Sequence, residues 1–183
     1  MWDQDKYLQA MNYAAVIHGE QKVPGQPYSY VVHLAEVAQE AMAALCSSGQ
    51  SKLDAALLIQ CALLHDSIED AGIGYQELKS QFGEEVADGV QALTKNNALP
   101  KEMRMKDSLD RITRQPCEVW MVKLSDRIVN LQRPPAFWTR DKKINYLEEA
   151  ELILKVLGGA SSFLADRIQR QIGSYKKFIE ELD

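Results

Sequence analysis

The chain has 183 residues, 46% hydrophobic and 26% charged, with a formal net charge of -5. That length supports about one domain on the usual scale of roughly 150 residues each, and the composition excludes a mostly disordered chain. The acidic balance argues against partners such as a nucleic-acid polymer or an anionic membrane surface, which need a basic face.

The start, MWDQDKYLQA, is polar and acidic and lacks the basic, then apolar, pattern of a signal peptide. No stretch approaches the roughly 20 apolar residues of a membrane span. Cys46, Cys61 and Cys117 are far apart and form no CxxC pair, which disfavours a zinc cage or a dithiol redox site. A soluble, cytoplasmic protein with reduced thiols is expected.

Helical spacing dominates. Tyr7, Leu8, Met11, Ala14, Ala15 and Ile17 predict a helix over 3–18, with Asp3 as N-cap. A loop with two prolines and two glycines follows, then a helix over 29–46 and a turn at 46–51. Residues 51–67 are apolar on nearly every face, as in a central buried helix. After a break at 71–74, helices are predicted at 75–81, 83–94, 101–114 and 116–131. Two long amphipathic helices, 139–157 and 161–181, flank Gly158-Gly159. The segment 117–124, CEVWMVKL, is the one place where a strand competes. With no repeat and no linker, residues 1–183 read as one all-α domain, a single helical bundle.

The chemistry concentrates on three histidines. His18 ends the first helix, His33 lies on the second, and His65 opens the string His65-Asp66-Ser-Ile-Glu69-Asp70 at the end of the apolar helix. Ionisable groups there are costly to bury without partners. On a continuing helix, His65 and Glu69 share one stripe and Asp66 and Asp70 the next, so both stripes can aim at one point. An imidazole with carboxylates suits Mn²⁺, Fe²⁺ or Zn²⁺ better than Ca²⁺. One helix cannot complete the coordination. His33 offers a second imidazole, and Asp126, an acid inside an otherwise apolar helix, offers another carboxylate, with Asn130 one turn on. Read singly, each has a plainer explanation: a core histidine, a solvated helix end, an Asp126-Arg127 surface ion pair.

Four pieces together resemble a known family. They are His18-Gly-Glu-Gln-Lys…Gly25-Gln-Pro27-Tyr28…His33, His65-Asp66-x-x-Glu69-Asp70, Phe82-Gly83-Glu-Glu-Val86 leading to Leu93-Thr94-Lys95, and Lys123-Leu-Ser-Asp126-Arg127-x-x-Asn130. Over about residues 5–157 the chain resembles the HD-domain metal-dependent phosphohydrolases. It looks most like the hydrolase domain of the RelA/SpoT homologues, which remove the 3′-pyrophosphate from guanosine tetra- and pentaphosphate. The resemblance implies that His33, His65, Asp66 and Asp126 bind one Mn²⁺. It implies that Glu69 and Asp70 handle the protons of the attacking water or leaving oxygen, and that Asn130 approaches the nucleotide sugar.

The resemblance has departures. Gln21-Lys22-Val23-Pro24 is about one residue shorter than the family's loop and keeps Lys22 where an Arg-Lys pair is usual, and Leu34 replaces a usual proline. Lys22 and Tyr28 from this region, with Lys95 and Arg104 from a patch that includes Lys101 and Lys106, are candidate contacts to a phosphorylated nucleotide. Trp138 is placed over the pocket or simply packed; Trp120, Tyr146 and Phe163 read as core residues, and Lys142-Lys143 as a surface pair. Other readings of the same residues are a nucleoside 5′-monophosphatase and a metal- or nucleotide-binding module without turnover.

Overall fold

A computed structural model describes residues 3–48 and 53–180 of the chain. Among these residues the regular structure is helical: α1 (Gln4–His18), α2 (Val31–Ser48), α3 (Ala55–Leu64), α4 (Tyr75–Phe82), α5 (Glu84–Leu93), α6 (Lys101–Ile112), α7 (Cys117–Asn130), α8 (Arg140–Leu157) and α9 (Ser162–Glu180). A short 3₁₀ segment, Gly158–Ala160, joins α8 to α9. The expected turn at 46–51 falls partly outside the described residues, and α2 runs on through Ser48.

Helix α3 is the axis of the fold. All ten of its residues are buried, and it packs against α1, α2, α5 and α7. Burial of Leu57, Leu58, Ile59, Leu63 and Leu64 stabilises the fold by roughly 1.5–3 kcal/mol per side chain. That packing fixes the end of α3, and with it His65. The helix starts later than its apolar run suggests. Asp54 caps it, accepting from the Ala56 and Leu57 amides at 2.9 and 3.1 Å. The Asp54 amide in turn donates to Glu118 of α7 at 2.7 Å.

Helix α7 is buried on almost every side, which is why CEVWMVKL lacks an amphipathic rhythm and looks strand-like in sequence. Gly83 turns the chain between α4 and α5 at φ 91°, a conformation that L side chains rarely adopt. Helices α8 and α9 pack on each other and on α7, and α9 also packs on α2, where Arg167 pairs with Glu40. No helix among the described residues is long and apolar enough to cross a membrane.

One local expectation is corrected. The α-helix stops at Leu64, and residues 65–70 form consecutive turns. The Ser67 amide reaches only three residues back, to Leu64 O at 2.9 Å, before Asp70 N resumes a four-residue bond to Asp66 O at 2.8 Å. The straight-helix geometry is lost, yet His65, Asp66, Glu69 and Asp70 still line one cavity, with Glu69 turned to Lys95 and Asp70 to Gln21.

Candidate metal centre and active site

Four side chains from three helices converge. His33 comes from α2, His65 and Asp66 from the end of α3, and Asp126 from α7. The His33 and His65 Nε2 atoms are 3.4 Å apart. Asp66 Oδ2 is 3.0 Å from His65 Nε2 and 3.7 Å from His33 Nε2. Asp126 Oδ1 is 3.6 and 3.7 Å from the same two nitrogens. Ligands bound 2.0–2.2 Å from one ion lie about 2.9–3.6 Å apart; the 3.0, 3.4 and 3.6 Å separations fall within that range and the two of 3.7 Å just outside it. His33, His65 and Asp66 by themselves offer donor atoms all within 4.8 Å of one another.

The surroundings fix the donors. His65 Nδ1 is 2.8 Å from Ala62 O, so that nitrogen carries the proton and Nε2 is left free to ligate. The Tyr30 hydroxyl donates to Asp66 Oδ2 at 2.5 Å. Asn130 Nδ2 donates to Asp126 Oδ1 at 2.5 Å, and Lys123 Nζ donates to Asp126 Oδ2 at 3.0 Å. Aromatic rings run His18–Tyr30–His33–His65, with neighbouring centroids 5.0–5.3 Å apart.

The electrostatics match the donor set. Burial disfavours a charge on Asp126, but Lys123 and His65 outweigh it and hold the carboxyl well below the ordinary range. Burial likewise opposes the Asp66 charge, and His65 and Tyr30 overcome it. Burial lowers the pKa of His33, helped by the neighbouring His65. His65 moves the other way: burial opposes its charge, but Asp66 and Asp126 raise its pKa well above the usual imidazole value. Two carboxylates and the His33 imidazole, whose charge burial disfavours, thus face the place where a cation would sit, and His65 is the ring that would have to release a proton to hold it.

Glu69 and Asp70 stand beside this cluster in a cavity of about 160 Å³ that Tyr30, Lys95, Lys123, Arg127 and Asn130 also line. Lys95 grips Glu69 twice, its backbone amide at Oε2 (3.1 Å) and its Nζ at Oε1 (3.0 Å). Asp70 Oδ2 accepts from Gln21 Nε2 at 2.9 Å. Burial raises the pKa of Asp70, and the charge on Asp66 adds to it.

Two further cavities share walls with this one. One of about 630 Å³ is lined by Lys95, Lys101, Arg104, Lys142, Trp138 and Tyr146, among others. One of about 200 Å³ is lined by Tyr28, His33, Asn130, Pro135, Trp138 and Tyr146, among others. Trp138 and Tyr146 form an edge-to-face pair at 5.1 Å between them.

The expected substrate residues therefore divide. Lys95, Asn130 and Tyr28 line cavities, although Lys95 and Asn130 already hold Glu69 and Asp126. Arg104 also lines one, but its guanidinium bonds to Leu99 O, Asn97 O and Asn97 Oδ1 and shapes the loop before α6. Lys22 is exposed, bridges Ser29 through its backbone, and is not among the residues lining these cavities.

Three plain readings need amending. Tyr146 packs against the core and is also a shared wall of all three cavities. Lys142 lies over the Trp138 ring at 4.1 Å, and Lys143 is buried, so they are not a solvated pair. Arg127 is only 3% exposed. It bonds to Glu149 at 3.1 Å and covers the Tyr146 ring at 4.0 Å, while Asp126 takes Lys123 instead. Sequence reading missed Tyr30, Lys123 and Gln21. Lys123 left a trace, as a lysine one turn before Asp126 in an apolar helix; Tyr30 and Gln21 left none outside their loop.

Comparison with known proteins agrees with this geometry. Over 170 residues the chain is 30% identical to the guanosine-3′,5′-bis(diphosphate) 3′-pyrophosphohydrolase MESH1 of Danio rerio, covering 89% of this chain and 90% of that protein. The Drosophila melanogaster MESH1 is 27% identical over 176 residues, covering 92% and 95%. A solved structure described as a metazoan ortholog of SpoT that hydrolyses ppGpp superposes with a TM-score of 0.81 at 23% identity, over 95% of this chain and 97% of that one, and shows the same fold. The profile of the HD domain family matches residues 10–148, and the chain belongs to that family.

Proposed function

We propose that the protein is a Mn²⁺-dependent phosphohydrolase that removes the 3′-pyrophosphate from guanosine 3′,5′-bispyrophosphate. The observation that carries this reading is the pairing of a two-imidazole, two-carboxylate cluster with two further carboxylates, Glu69 and Asp70, in one small polar cavity. The adjoining cavity carries Lys101 and Lys142 on its walls, with Lys95 and Arg104 held by partners and Glu69, Asp141 and Glu149 also lining it, so Lys101 and Lys142 are the cations offered to a phosphorylated ligand there. The MESH1 relatives act on that substrate by name.

His33, His65, Asp66 and Asp126 would hold the ion. Once bound, the ion lowers the pKa of a water and polarises a phosphoryl oxygen. The rest belongs to the chain. Gln21 occupies Asp70 Oδ2, which leaves Oδ1 to take a proton from the attacking water. Lys95 spends one donor on each Glu69 oxygen, so the carboxylate is held still and retains a free lone pair on each oxygen, through which the proton taken from the attacking water would pass to the ribose 3′-oxygen as the P–O3′ bond breaks and pyrophosphate carries away the water oxygen. Tyr30 and Asn130 keep the two ligand carboxylates in register. Asn130, shared by the small cavity and the Tyr28–Trp138 cavity, lies where the sugar would join phosphate to base.

The test is product analysis after incubating metal-loaded protein with a panel of nucleotides. Release of pyrophosphate from the guanosine bispyrophosphate, highest with Mn²⁺, is the expected result. Turnover of nucleoside monophosphates alone, or binding without turnover, would replace the reading. Lys22, exposed and outside the cavity walls, gives the base no planar guanidinium to select it. Guanosine and adenosine bispyrophosphates are therefore expected to differ little in kcat/KM.

A further inference from the structure

We infer that His18 and Gln21 form a positioning pair for the Asp70 carboxylate, with the His18 ring donating through Nδ1. The inference rests on the catalytic role proposed for Asp70 and deepens it.

The chain of bonds fixes its own polarity. An ionised carboxylate only accepts, so Gln21 presents its NH₂ to Asp70 Oδ2, at 2.9 Å. Its amide oxygen then faces His18 Nδ1 at 2.7 Å. That oxygen also only accepts, so Nδ1 must donate. Were the proton on Nε2, two acceptors would face each other and Gln21 would lose its orientation.

The rest of the His18 ring has no other polar task. The residue is 4% exposed, and its Nε2 is buried without a hydrogen-bond partner. A buried polar atom left unpaired in a native fold calls for an explanation. Here the other nitrogen of the same ring supplies it, because Nδ1 orients the amide that holds Asp70. The ring is set by stacking on Tyr30, 5.1 Å between centroids, and Tyr30 itself bonds to Asp66. The Gln21 backbone is pinned at both ends, its amide to His18 O and its carbonyl by the Tyr30 amide, each at 2.8 Å. The end of α1 thus reaches Asp70 through a side chain with little freedom left.

Two substitutions separate this role from packing. His18→Phe keeps an aromatic ring against Tyr30 and removes the donor. His18→Asn gives up the ring and keeps an amide donor near the Nδ1 position. A misplaced catalytic group costs up to about 10²-fold, so His18→Phe and Gln21→Met are expected to lower kcat by roughly 10–100-fold with KM nearly unchanged. His18→Asn should be less stable to heat than His18→Phe yet turn over faster. Equal or faster turnover by His18→Phe would overturn the assignment. Nitrogen-15 NMR of the three histidines, in metal-free protein and in protein with diamagnetic Zn²⁺, tests the bond chain directly: His18 protonated on Nδ1 supports it, and protonation on Nε2 alone refutes it. If wild type fails to hydrolyse the bispyrophosphate, the substrate reading falls, and the His18 tautomer still decides the hydrogen-bonded link.

Discussion

Replacing Asp126 by asparagine cuts two interactions made through two different oxygens. Oδ1 faces the imidazoles of His33 and His65, and Oδ2 faces Lys123 Nζ at 3.0 Å. Both members of the lysine pair are buried, at 7% and 8% exposure. Removing one partner of a buried ion pair costs about 3–5 kcal/mol, because the other charge is stranded. For a chain of this size, each kcal/mol is worth about 2–4 °C, so metal-free Asp126→Asn should melt about 6–20 °C below wild type. The same change removes a charged oxygen ligand. At a metal concentration of about 100 Kd, wild type gains roughly 2.7 kcal/mol from binding, and the variant should lose most of that increment. A second substitution, Lys123→Met, removes the stranded ammonium. The double variant should recover most of the stability lost in chelator but none of the metal-dependent gain. Urea denaturation of the four proteins, each with chelator and with Mn²⁺, measures both terms and the coupling between them. The reasoning fails if Asp126→Asn is as stable as wild type in chelator, or if the double variant regains the metal increment.

Glu69→Gln should retain metal, measured by elemental analysis, and lose turnover by roughly 10²–10⁴-fold, since a general acid or base contributes about that factor; wild-type rates would remove Glu69 from the chemistry. Burial and the Asp66 charge raise the Asp70 pKa above its ordinary 3.8, so its contribution to metal-free stability is full below that value and is lost as pH rises through the folded pKa. Asp70→Asn should therefore gain stability relative to wild type as pH climbs through that window toward 7, while losing activity; a wild-type-minus-variant melting difference that is flat with pH would contradict this. Gly89 faces α3 and α7 so closely that an added Cβ would lie 2.8 Å from Cys61 Sγ and 3.0 Å from Val119 Cγ2. Overpacking costs about 1–3 kcal/mol, against about 1 kcal/mol gained from helix propensity. Gly89→Ala should thus be neutral to destabilising by about 2 kcal/mol, and Cys61→Ala should relieve it in a double-mutant cycle.

Much of this protein is written in local sequence. Helix α1 is announced by its Asp3 cap and its apolar spacing, and α8 and α9 by their two-faced pattern around Gly158-Gly159. The HD dipeptide at the end of an apolar helix, and an acid inside a second one, are legible because a charge in an apolar setting needs a partner. His33, His65, Asp66 and Asp126 could be named on that ground. What joins them is long-range: α2, α3 and α7 must pack before nitrogens 32 residues apart come within 3.4 Å. Local rules also end where helix geometry changes. The tightened turn after Leu64, set by the fixed end of α3, sends Glu69 to Lys95 and Asp70 to Gln21. No spacing in the sequence encodes those partners. The same holds for Tyr146, Lys142 and Arg127, which read as core or surface by composition. Only the docking of α8 on α7 places them at the cavities, because a side chain's environment is set by the neighbours that folding brings to it.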